Sequence, residues 1–206
     1  MLILSEKNGT LSPLEWSYVL GVLRGGGVVA YPTDTAYGLA VDPRVRGATK
    51  KIFAIKGRRD DKPLSVIVSS TVMAKKFAVF SQTANAMARK HWPGALMLVV
   101  PIKKTIEARP LASLGSRTSV GLRFPDYALA KTMVQKMAYP VTSTSANRSG
   151  KSACYSLDEF LLQFKNASVL PDLFIDTGAL PKRPTSTVID CTGHRIKILR
   201  QGGIYV

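Results

Sequence analysis

The sequence contains few of the side chains that build disulfide frameworks or protein metal sites. Only two cysteines, Cys154 and Cys191, and two histidines, His91 and His194, occur in 206 residues, and none has a neighbour at ligand spacing. Neither a disulfide-stabilised secreted domain nor a zinc-binding domain is therefore supported. This cysteine usage is typical of a reducing compartment, and we expect a cytoplasmic protein.

Long apolar runs are also absent. The longest stretch, Ala95 to Ile102, is too short to cross a bilayer, for which a helix needs about 20 apolar residues. The N-terminal MLIL is followed at once by Ser5-Glu6-Lys7, so we expect neither a signal peptide nor a membrane anchor. With 46% hydrophobic residues, the chain should fold as a single domain over residues 1–206.

Acidic residues are scarce, with 13 Asp and Glu against 29 Lys and Arg and a formal net charge of +16. Such an excess of positive charge indicates a polyanionic partner, which would be nucleic acid, nucleotide phosphates or an acidic membrane surface. A basic surface that serves only solubility is the alternative at this stage, because a net charge does not locate a binding site.

The common motifs of nucleotide binding and covalent catalysis are missing as well. The sequence has no G-x-x-x-x-G-K-[ST] phosphate loop and no G-x-S-x-G nucleophile elbow. Residues 25–30 (GGGVVA) match G-x-G-x-x-A by letter, but they close a predicted helix and enter a strand, the reverse of the required order. The local patterns thus give no support to a Walker-type site, a serine hydrolase or a Rossmann cofactor.

Helical and extended patterns alternate along the chain. Ser12, Pro13 and Glu15 predict the start of a helix that Gly25–Gly27 ends with a left-handed cap. Further helices are predicted over 48–55, 83–91, 127–136 and 157–164, and strands over 2–4, 28–31, 64–68, 95–100, 120–123, from 141, and over 173–175, 187–189 and 196–199. The alternation predicts an α/β layered domain, and several connections too short for a helical crossover predict a mixed sheet.

Polar segments follow several of these elements, at positions where α/β sheets usually place ligands. They combine hydroxyls, cations and free backbone N–H groups of the kinds that bind carboxylates and phosphates. The segments are 31–39 (YPTDTAYGL), 56–65 (KGRRDDKPLS), 121–125 (GLRFP), 143–150 (STSANRSG) and 186–190 (STVID), followed by Leu199-Arg200. Each alone is equally consistent with an ordinary polar turn, so that only their combination indicates a site.

In their order along the chain, YPTDTAYGL, KGR…DKPLSV, WPGALML, GLRFP, STSANRSG and STVID…ILR resemble the motifs of the YrdC/Sua5 family. The similarity runs from about Gly26 to Arg200. It implies a twisted, open α/β sheet with flanking helices that encloses a concave basic cavity. Because the chain stops at Val206, we expect the single-domain YrdC-like form rather than the longer Sua5 form.

The resemblance also implies an activity. Family members are threonylcarbamoyl-AMP synthases, which join L-threonine, bicarbonate or carbon dioxide, and ATP, release pyrophosphate, and supply the donor for threonylcarbamoyladenosine in tRNA. Magnesium is expected to accompany ATP, with no protein metal ligands and no tightly bound cofactor. The implied partners are tRNA or the downstream threonylcarbamoyl transferase complex, and no membrane.

The same resemblance assigns roles to residues. The Lys-x-Arg and Ser-x-Asn signature falls on Lys56, Arg58, Ser145 and Asn147, which would be catalytic. Threonine binding is assigned to Thr35, Arg123, Ser143 and Ser186. ATP binding is assigned to Arg58, Lys62, Ser119, Ser145 and Arg200. Two positions depart from the family, because Ile67 and Ala153 stand where some relatives carry polar residues, and neither is included.

The implied reaction needs no side-chain nucleophile, since a threonine carbamate attacks the α-phosphorus of ATP. Both reactants are anionic, so the site must neutralise charge and align them. We expect Arg123 to pair with the threonine carboxylate, and Lys56, Arg58 and Lys62 to contact phosphates from an exposed loop. Residues 57–62 are expected to close over ATP, and substitution of Lys56 or Arg58 to leave the fold intact.

Two other functions fit parts of the pattern. An RNA-binding module of the same fold, for tRNA or double-stranded RNA and without catalysis, suits the charge equally well. Such a module has no need for Thr35, Ser143 and Ser186 beside Arg123. A carbamoyl-transfer enzyme like the related domain of hydrogenase maturation proteins is the other alternative. Those chains carry zinc-finger regions, whereas no Cys-x-x-Cys occurs here.

Overall fold

A computed structural model describes residues 1–6, 9–58, 63–114, 116–193 and 195–206. Its strands are β1 (Leu2–Ser5), β2 (Val29–Tyr31), β3 (Gly38–Ala40), β4 (Ser65–Ile67), β5 (Leu96–Pro101), β6 (Ser119–Arg123), β7 (Val141–Ser145), β8 (Leu173–Asp176), β9 (Thr187–Asp190) and β10 (Lys197–Arg200). Its helices are α1 (Pro13–Arg24), α2 (Ala48–Lys56), α3 (Thr71–Phe77), α4 (Gln82–His91), α5 (Arg109–Ala112), α6 (Ala128–Met137) and α7 (Leu157–Gln163).

The strands form one open sheet in the order β1-β8-β2-β3-β7-β4-β6-β5-β9-β10. Parallel pairs such as β1 with β8 and β5 with β9 occur beside antiparallel pairs such as β2 with β3 and β5 with β6. The predicted mixed α/β sheet with flanking helices is therefore confirmed. In the described part of the chain, no helix has the length and apolar character that a membrane crossing requires.

Three short elements were not predicted. β3 begins with the last two residues of the YPTDTAYGL segment, which the sequence pattern presents as a loop, and it is a strand only because it pairs with β2 and β7. α3 and α5 span only seven and four residues, over which helical periodicity is a weak signal. Element type in such short segments is decided by tertiary contacts rather than by local preference.

Helix α1 shows how local signals set the path of the chain into the sheet. Ser12 and Glu15 form a reciprocal capping box at its start. At its end the amide of Gly26, at φ 75°, donates to Leu23 O at 2.9 Å, and the amide of Gly27 donates to Val22 O at 2.8 Å. This is a Schellman motif, and the expected left-handed cap is confirmed at Gly26.

Helices cover the two faces of the sheet unequally. Alternate residues of a strand face opposite sides, so Val29 and Tyr31 of β2 pack with residues of α1 and α6, whereas Ala30 joins the core under the other helices. On β5, Leu96 and Leu98 face that second core. In the described part of the chain, the first face is covered mainly by α1 and α6, and the part that they leave open becomes the floor of a cavity.

Small side chains along this open part make room for the cavity. Gly38 pairs with Ser145 across β3 and β7, and Ser65 pairs with Ser143 across β4 and β7. A Cβ added to Gly38 would lie 3.2 Å from the ring of Tyr31, closer than ordinary packing allows. The sequence of small residues on neighbouring strands thus leaves an open floor that larger side chains would fill.

Candidate functional site

A cavity of about 560 Å³ opens on this face. Every predicted site residue that the structure describes lines it: Thr35, Lys56, Arg58, Ser119, Arg123, Ser143, Ser145, Asn147, Ser186 and Arg200. Lys62, with residues 59–61 of the loop expected to close over ATP, lies outside the described residues, as does His194. Of the two departures from the family, Ala153 lines the cavity, whereas Ile67 is fully buried in the core beneath α6.

One side of the cavity is built around a buried ion pair, which we call the Arg123 corner. The guanidinium of Arg123 donates to Asp34 Oδ1, to Thr35 Oγ1 at 2.9 Å and to the carbonyl of Gly94 at 3.1 Å. The side chains of Arg123 and Asp34 are only 6% and 7% exposed. These bonds use three of the five N–H groups of the arginine, whose charge is compensated by the carboxylate.

Two further hydroxyls shape this corner. Thr33 Oγ1 accepts from the amides of Thr35 and Ala36, both at 3.2 Å, and so forms the turn that presents Thr35 to Arg123. The hydroxyl of Tyr31 donates to Ser143 Oγ at 2.9 Å. Burial raises the pKa of Tyr31 to about 12, so this phenol stays a neutral donor at physiological pH. Both bonds hold side chains that face the cavity in fixed positions.

The opposite side, which we call the Lys56 corner, contains a second buried cation. The ammonium of Lys56 donates to the carbonyl of Ser145, to the carbonyl of Asn147 at 2.9 Å and to Asn147 Oδ1 at 3.2 Å. The side-chain amide of Asn147 in turn donates to the carbonyls of Arg148 and Lys151, at 2.8 and 2.6 Å. Lys56 and Asn147 therefore hold the 145–151 loop against the end of α2.

This geometry corrects the expectation that Lys56 stands in an exposed loop. It is the last residue of α2 and is 4% exposed, and all three of its donors point at the 145–147 backbone and amide. Burial, with the neighbouring charge of Arg58 as a second cause, lowers the pKa of Lys56 to about 8. A substitution at Lys56 should consequently affect stability as well as any ligand contact.

The remaining predicted residues lie around these corners. Arg58 donates from Nη2 to the carbonyl of Pro63 at 3.2 Å. The hydroxyls of Ser119 and Ser116 lie 2.9 Å apart. Arg200 donates from Nε and Nη2 to the carbonyl of Ser186, at 3.0 and 2.7 Å. These contacts bring residues of the assigned threonine set and of the assigned ATP set to one enclosed space.

The charges of the cavity wall are unbalanced. Among the described lining residues, four are cationic and none carries a carboxylate. Desolvation lowers the pKa of Arg200, and the nearby charge of Arg123 adds to this. The charge of Arg58 acts on the pKa of Lys56 in the same sense. Repulsion between like charges in a partly desolvated wall is relieved when an anion binds, so the wall favours anionic ligands.

Metal ligands are not gathered here. Among the residues that the structure describes, no group of three or more His, Cys, Asp or Glu side chains could hold a metal ion. The cavity supplies hydroxyls, amides and cations, which are poor ligands for magnesium compared with carboxylates and phosphates. Magnesium in contact with these described residues would depend on oxygen atoms that a ligand brings.

Two residues that shape the site were not predicted from the sequence, because their roles depend on an ion pair or a hydrogen bond with a distant residue. Asp34 belongs to a polar segment of the sequence that gives it no particular role, although it compensates Arg123. Tyr31, which orients Ser143, resembles any aromatic residue of a buried strand. The one available signal was the carboxylate between two threonines directly after β2. Its partner lies 89 residues away and could not be identified from spacing.

Proteins of known name are similar to this chain over most of its length. The family model Sua5_yciO_yrdC, described as "Telomere recombination", matches residues 21–202. A protein named threonylcarbamoyl-AMP synthase from Pyrococcus abyssi is 33% identical over 196 residues, which cover 92% of this chain and 55% of that protein. One of the same name from Thiobacillus denitrificans is 34% identical over 180 residues, 86% of this chain and 90% of that protein.

A solved structure agrees with the sequence matches. The crystal structure of P. abyssi Sua5 complexed with L-threonine superposes with a TM-score of 0.83 at 30% identity, covering 98% of this chain and 57% of that one. The chain thus spans little more than half the length of both Pyrococcus proteins and most of the length of the Thiobacillus protein.

Proposed function

The chain belongs to the Sua5/YciO/YrdC family, and from this membership we propose that it makes threonylcarbamoyl-AMP and pyrophosphate from L-threonine, bicarbonate and ATP. The observation that carries the proposal is the convergence of both assigned residue sets on one cavity of about 560 Å³. A pocket of this size is in the range that small-molecule sites occupy. The relatives named threonylcarbamoyl-AMP synthase support the same assignment.

Threonine would bind at the Arg123 corner. Three of the five N–H groups of Arg123 are used in bonds within the protein. The other two would donate to the threonine carboxylate and form a charge-assisted pair of hydrogen bonds. Thr35, Ser143 and Ser186 supply hydroxyls for the threonine side chain. A site that bonds the substrate hydroxyl can reject an analogue lacking it by roughly 10⁴-fold, which an apolar pocket could not do. The P. abyssi Sua5 structure, which is a complex with L-threonine, supports this choice of amino acid.

ATP would bind towards the Lys56 corner, where Arg58 and Ser145 face the cavity, and would extend to Ser119 and Arg200 elsewhere in the wall. The threonine amine attacks carbon dioxide or bicarbonate, loses a proton and becomes a carbamate; from bicarbonate, water leaves. A carbamate oxygen then attacks the α-phosphorus of ATP, and the bond to the β-phosphate oxygen breaks to release pyrophosphate. The cationic wall would stabilise the developing negative charge, and the enclosed cavity would protect the labile carbamate from water.

Magnesium is part of the proposal only as the counter-ion of ATP, because the described lining residues offer no carboxylate to hold it. The product would pass to the transferase that modifies tRNA, by handover or by diffusion. We assign this activity to the cytoplasm, in agreement with two cysteines that are both buried and free.

The proposal is tested by pyrophosphate release from purified protein. Threonine, bicarbonate and ATP together should release pyrophosphate and yield a threonylcarbamoyl adenylate that mass spectrometry identifies. Omitting threonine or replacing it by valine should reduce the rate to background, because valine lacks the hydroxyl. Absence of pyrophosphate release by a folded protein that binds RNA would contradict the proposal and favour the RNA-binding alternative.

A further inference from the structure

The segment that follows β10 folds back onto the start of β9. The hydroxyl of Thr187 accepts from the amides of Gly202 and Ile204, at 3.0 and 3.1 Å, and donates to the carbonyl of Ile204 at 2.7 Å. The amide of Gly203 donates to the carbonyl of Thr185 at 3.1 Å. We call these contacts between Thr187 and residues 202–204 the clasp.

Two independent features show that residues 202–204 pack closely against the rest of the protein. A Cβ added to Gly202 would lie 2.0 Å from the carbonyl oxygen of Thr185 and 2.5 Å from the amide nitrogen of Thr187, so only glycine fits. Ile204 packs against the main hydrophobic core cluster. A hydroxyl that uses its donor and both acceptor positions inside the protein is saturated, and Thr187 itself is fully buried.

The clasp lies directly behind the cavity wall. Thr187 pairs with Leu96, whose side chain belongs to the core on the face opposite the cavity. Its neighbours Ser186 and Val188 line the cavity, since adjacent strand residues face opposite sides. Arg200, the last residue of β10, donates twice to the carbonyl of Ser186. The clasp thus fixes the backbone on both sides of the Ser186–Arg200 contact.

We propose that Thr187 is a positioning residue for substrate binding, which holds Ser186 and Arg200 in the cavity wall through the clasp. It touches no substrate. Its effect arises because loss of its hydroxyl leaves two amides and a carbonyl without their buried partner and releases residues 202–204. The kinetic part of this inference rests on the proposed function, whereas its structural and binding parts do not.

The test compares four variants with the wild-type protein. Thr187→Val removes the hydroxyl at nearly constant shape, and Thr187→Ser restores it. Gly202→Ala opens the clasp from the other side, because its Cβ would meet the backbone of residues 185–187, and it keeps the Thr187 hydroxyl; it serves if Thr187→Val does not fold. Thr192→Val is the matched control, because Thr192 lies at the turn of the same β9–β10 hairpin, where its hydroxyl donates to Asp190 Oδ1 at 2.7 Å and, among the described residues, has no hydrogen bond to the clasp.

Three measurements apply to each variant: hydrogen exchange of the Gly202 and Ile204 amides, calorimetric Kd for threonine and for ATP, and KM and kcat from pyrophosphate release. In Thr187→Val and Gly202→Ala we expect faster exchange and Kd and KM raised about tenfold for at least one substrate, with kcat changed less than about threefold. Thr187→Ser and Thr192→Val should stay within about twofold of wild type.

The outcomes separate this inference from the proposed function. Faster exchange with unchanged Kd and KM would overturn the positioning role, as would an effect of equal size in Thr192→Val. Wild-type protein that binds ATP but releases no pyrophosphate would contradict the proposed function alone. The Kd values of the variants relative to wild type would then show whether Thr187 positions the binding residues. Wild-type protein that binds neither ligand would overturn both.

Discussion

The two buried cations of the cavity are compensated in different ways. In the Arg123 corner, the carboxylate of Asp34 neutralises the guanidinium charge. In the Lys56 corner, the described residues that accept from the ammonium group do so with neutral carbonyl and amide oxygens, and the neighbouring charge that most affects its pKa is the cation Arg58. The charge of Arg123 is therefore neutralised by a carboxylate, whereas the described partners of the Lys56 charge are neutral.

This difference matches the two substrates of the proposed reaction. Threonine is a zwitterion and carries no net charge, so a compensated ion pair can bind it without leaving an excess charge buried. ATP is a polyanion, and a lysine ammonium that neutral oxygens hold beside the cation Arg58 suits its phosphates. The comparison predicts that the corners respond differently to loss of a side chain, to pH and to removal of a single hydroxyl.

The largest effect should follow from breaking the ion pair. Asp34→Ala leaves Arg123 buried without its counter-charge, and we expect the free energy of unfolding to fall by about 3 kcal/mol in urea titrations. Lys182→Gln is the control, because it breaks an ion pair with Glu159 whose side chains are 75% and 39% exposed. It should cost less than about 1 kcal/mol. Equal losses in both variants would contradict the role of burial at Asp34.

A somewhat smaller loss of stability is expected at the other corner. Lys56→Met keeps the length of the side chain but deprives the oxygens of Ser145 and Asn147 of their donor, at a cost of about 1–3 kcal/mol. Turnover should fall to background because the 145–151 loop is no longer held. Lys51→Met, on the exposed side of the same helix, should change neither property. A Lys56→Met variant with normal pyrophosphate release would refute the assignment.

The pH dependence should distinguish the corners. The pKa of Lys56 in the free protein, about 8, lies below its ordinary value, so phosphate binding should raise it and draw in a proton. We expect ATP binding at about pH 8 to be coupled to uptake of roughly half a proton, measured by calorimetry in buffers of different ionisation enthalpy. Lys56→Met should abolish this uptake, and threonine binding should show none. Uptake that persists in the variant would assign the titration to another group.

The same pKa has a consequence for the free protein. Because the folded state releases the Lys56 proton at lower pH than the unfolded state does, the folded state binds fewer protons between about pH 8 and the ordinary lysine value. The contribution of this residue to stability should therefore increase as pH rises through that interval and be constant below it.

The smallest effect is expected from a single hydroxyl. Tyr31→Phe removes the donor that orients Ser143, and we expect a loss of about 1 kcal/mol or less in stability and a few-fold higher KM for threonine, with the KM for ATP unchanged. Tyr127→Phe is the control, since its hydroxyl contacts Thr177 at 3.2 Å instead of a cavity residue. Equal changes in both KM values would contradict a role confined to the Arg123 corner.

Much of the fold was predictable because its signals are local. The capping box at Ser12, the left-handed glycine after α1 and the long apolar strands can be recognised within a few residues. β3 could not be recognised, because three residues at the end of a polar segment become a strand only through pairing, in part with a strand that is distant in sequence. The exposure of Lys56 was wrongly predicted for a similar reason, since a lysine beside glycine and arginine is typical of a solvated turn.

The identity of the site residues was likewise predictable, but their connections were not. The resemblance to the family assigned Thr35, Arg123, Ser143 and Ser186 to one site, and all four line the cavity. No spacing rule could indicate that Arg123 is compensated by Asp34, or that Thr187 holds the wall from behind. Such contacts join residues far apart in sequence or lie on the opposite face of the sheet.

The amino-acid sequence by itself determined which chemical groups are present, where helices begin and end, and in what order the polar segments follow the strands. Only the tertiary structure decided which cation is neutralised, which is left with neutral oxygens, and which hydroxyl faces the cavity. The physical reason is that the strength of a charge or a hydrogen bond depends on burial and on its partner. Both are set by packing between strands that the chain order does not make neighbours.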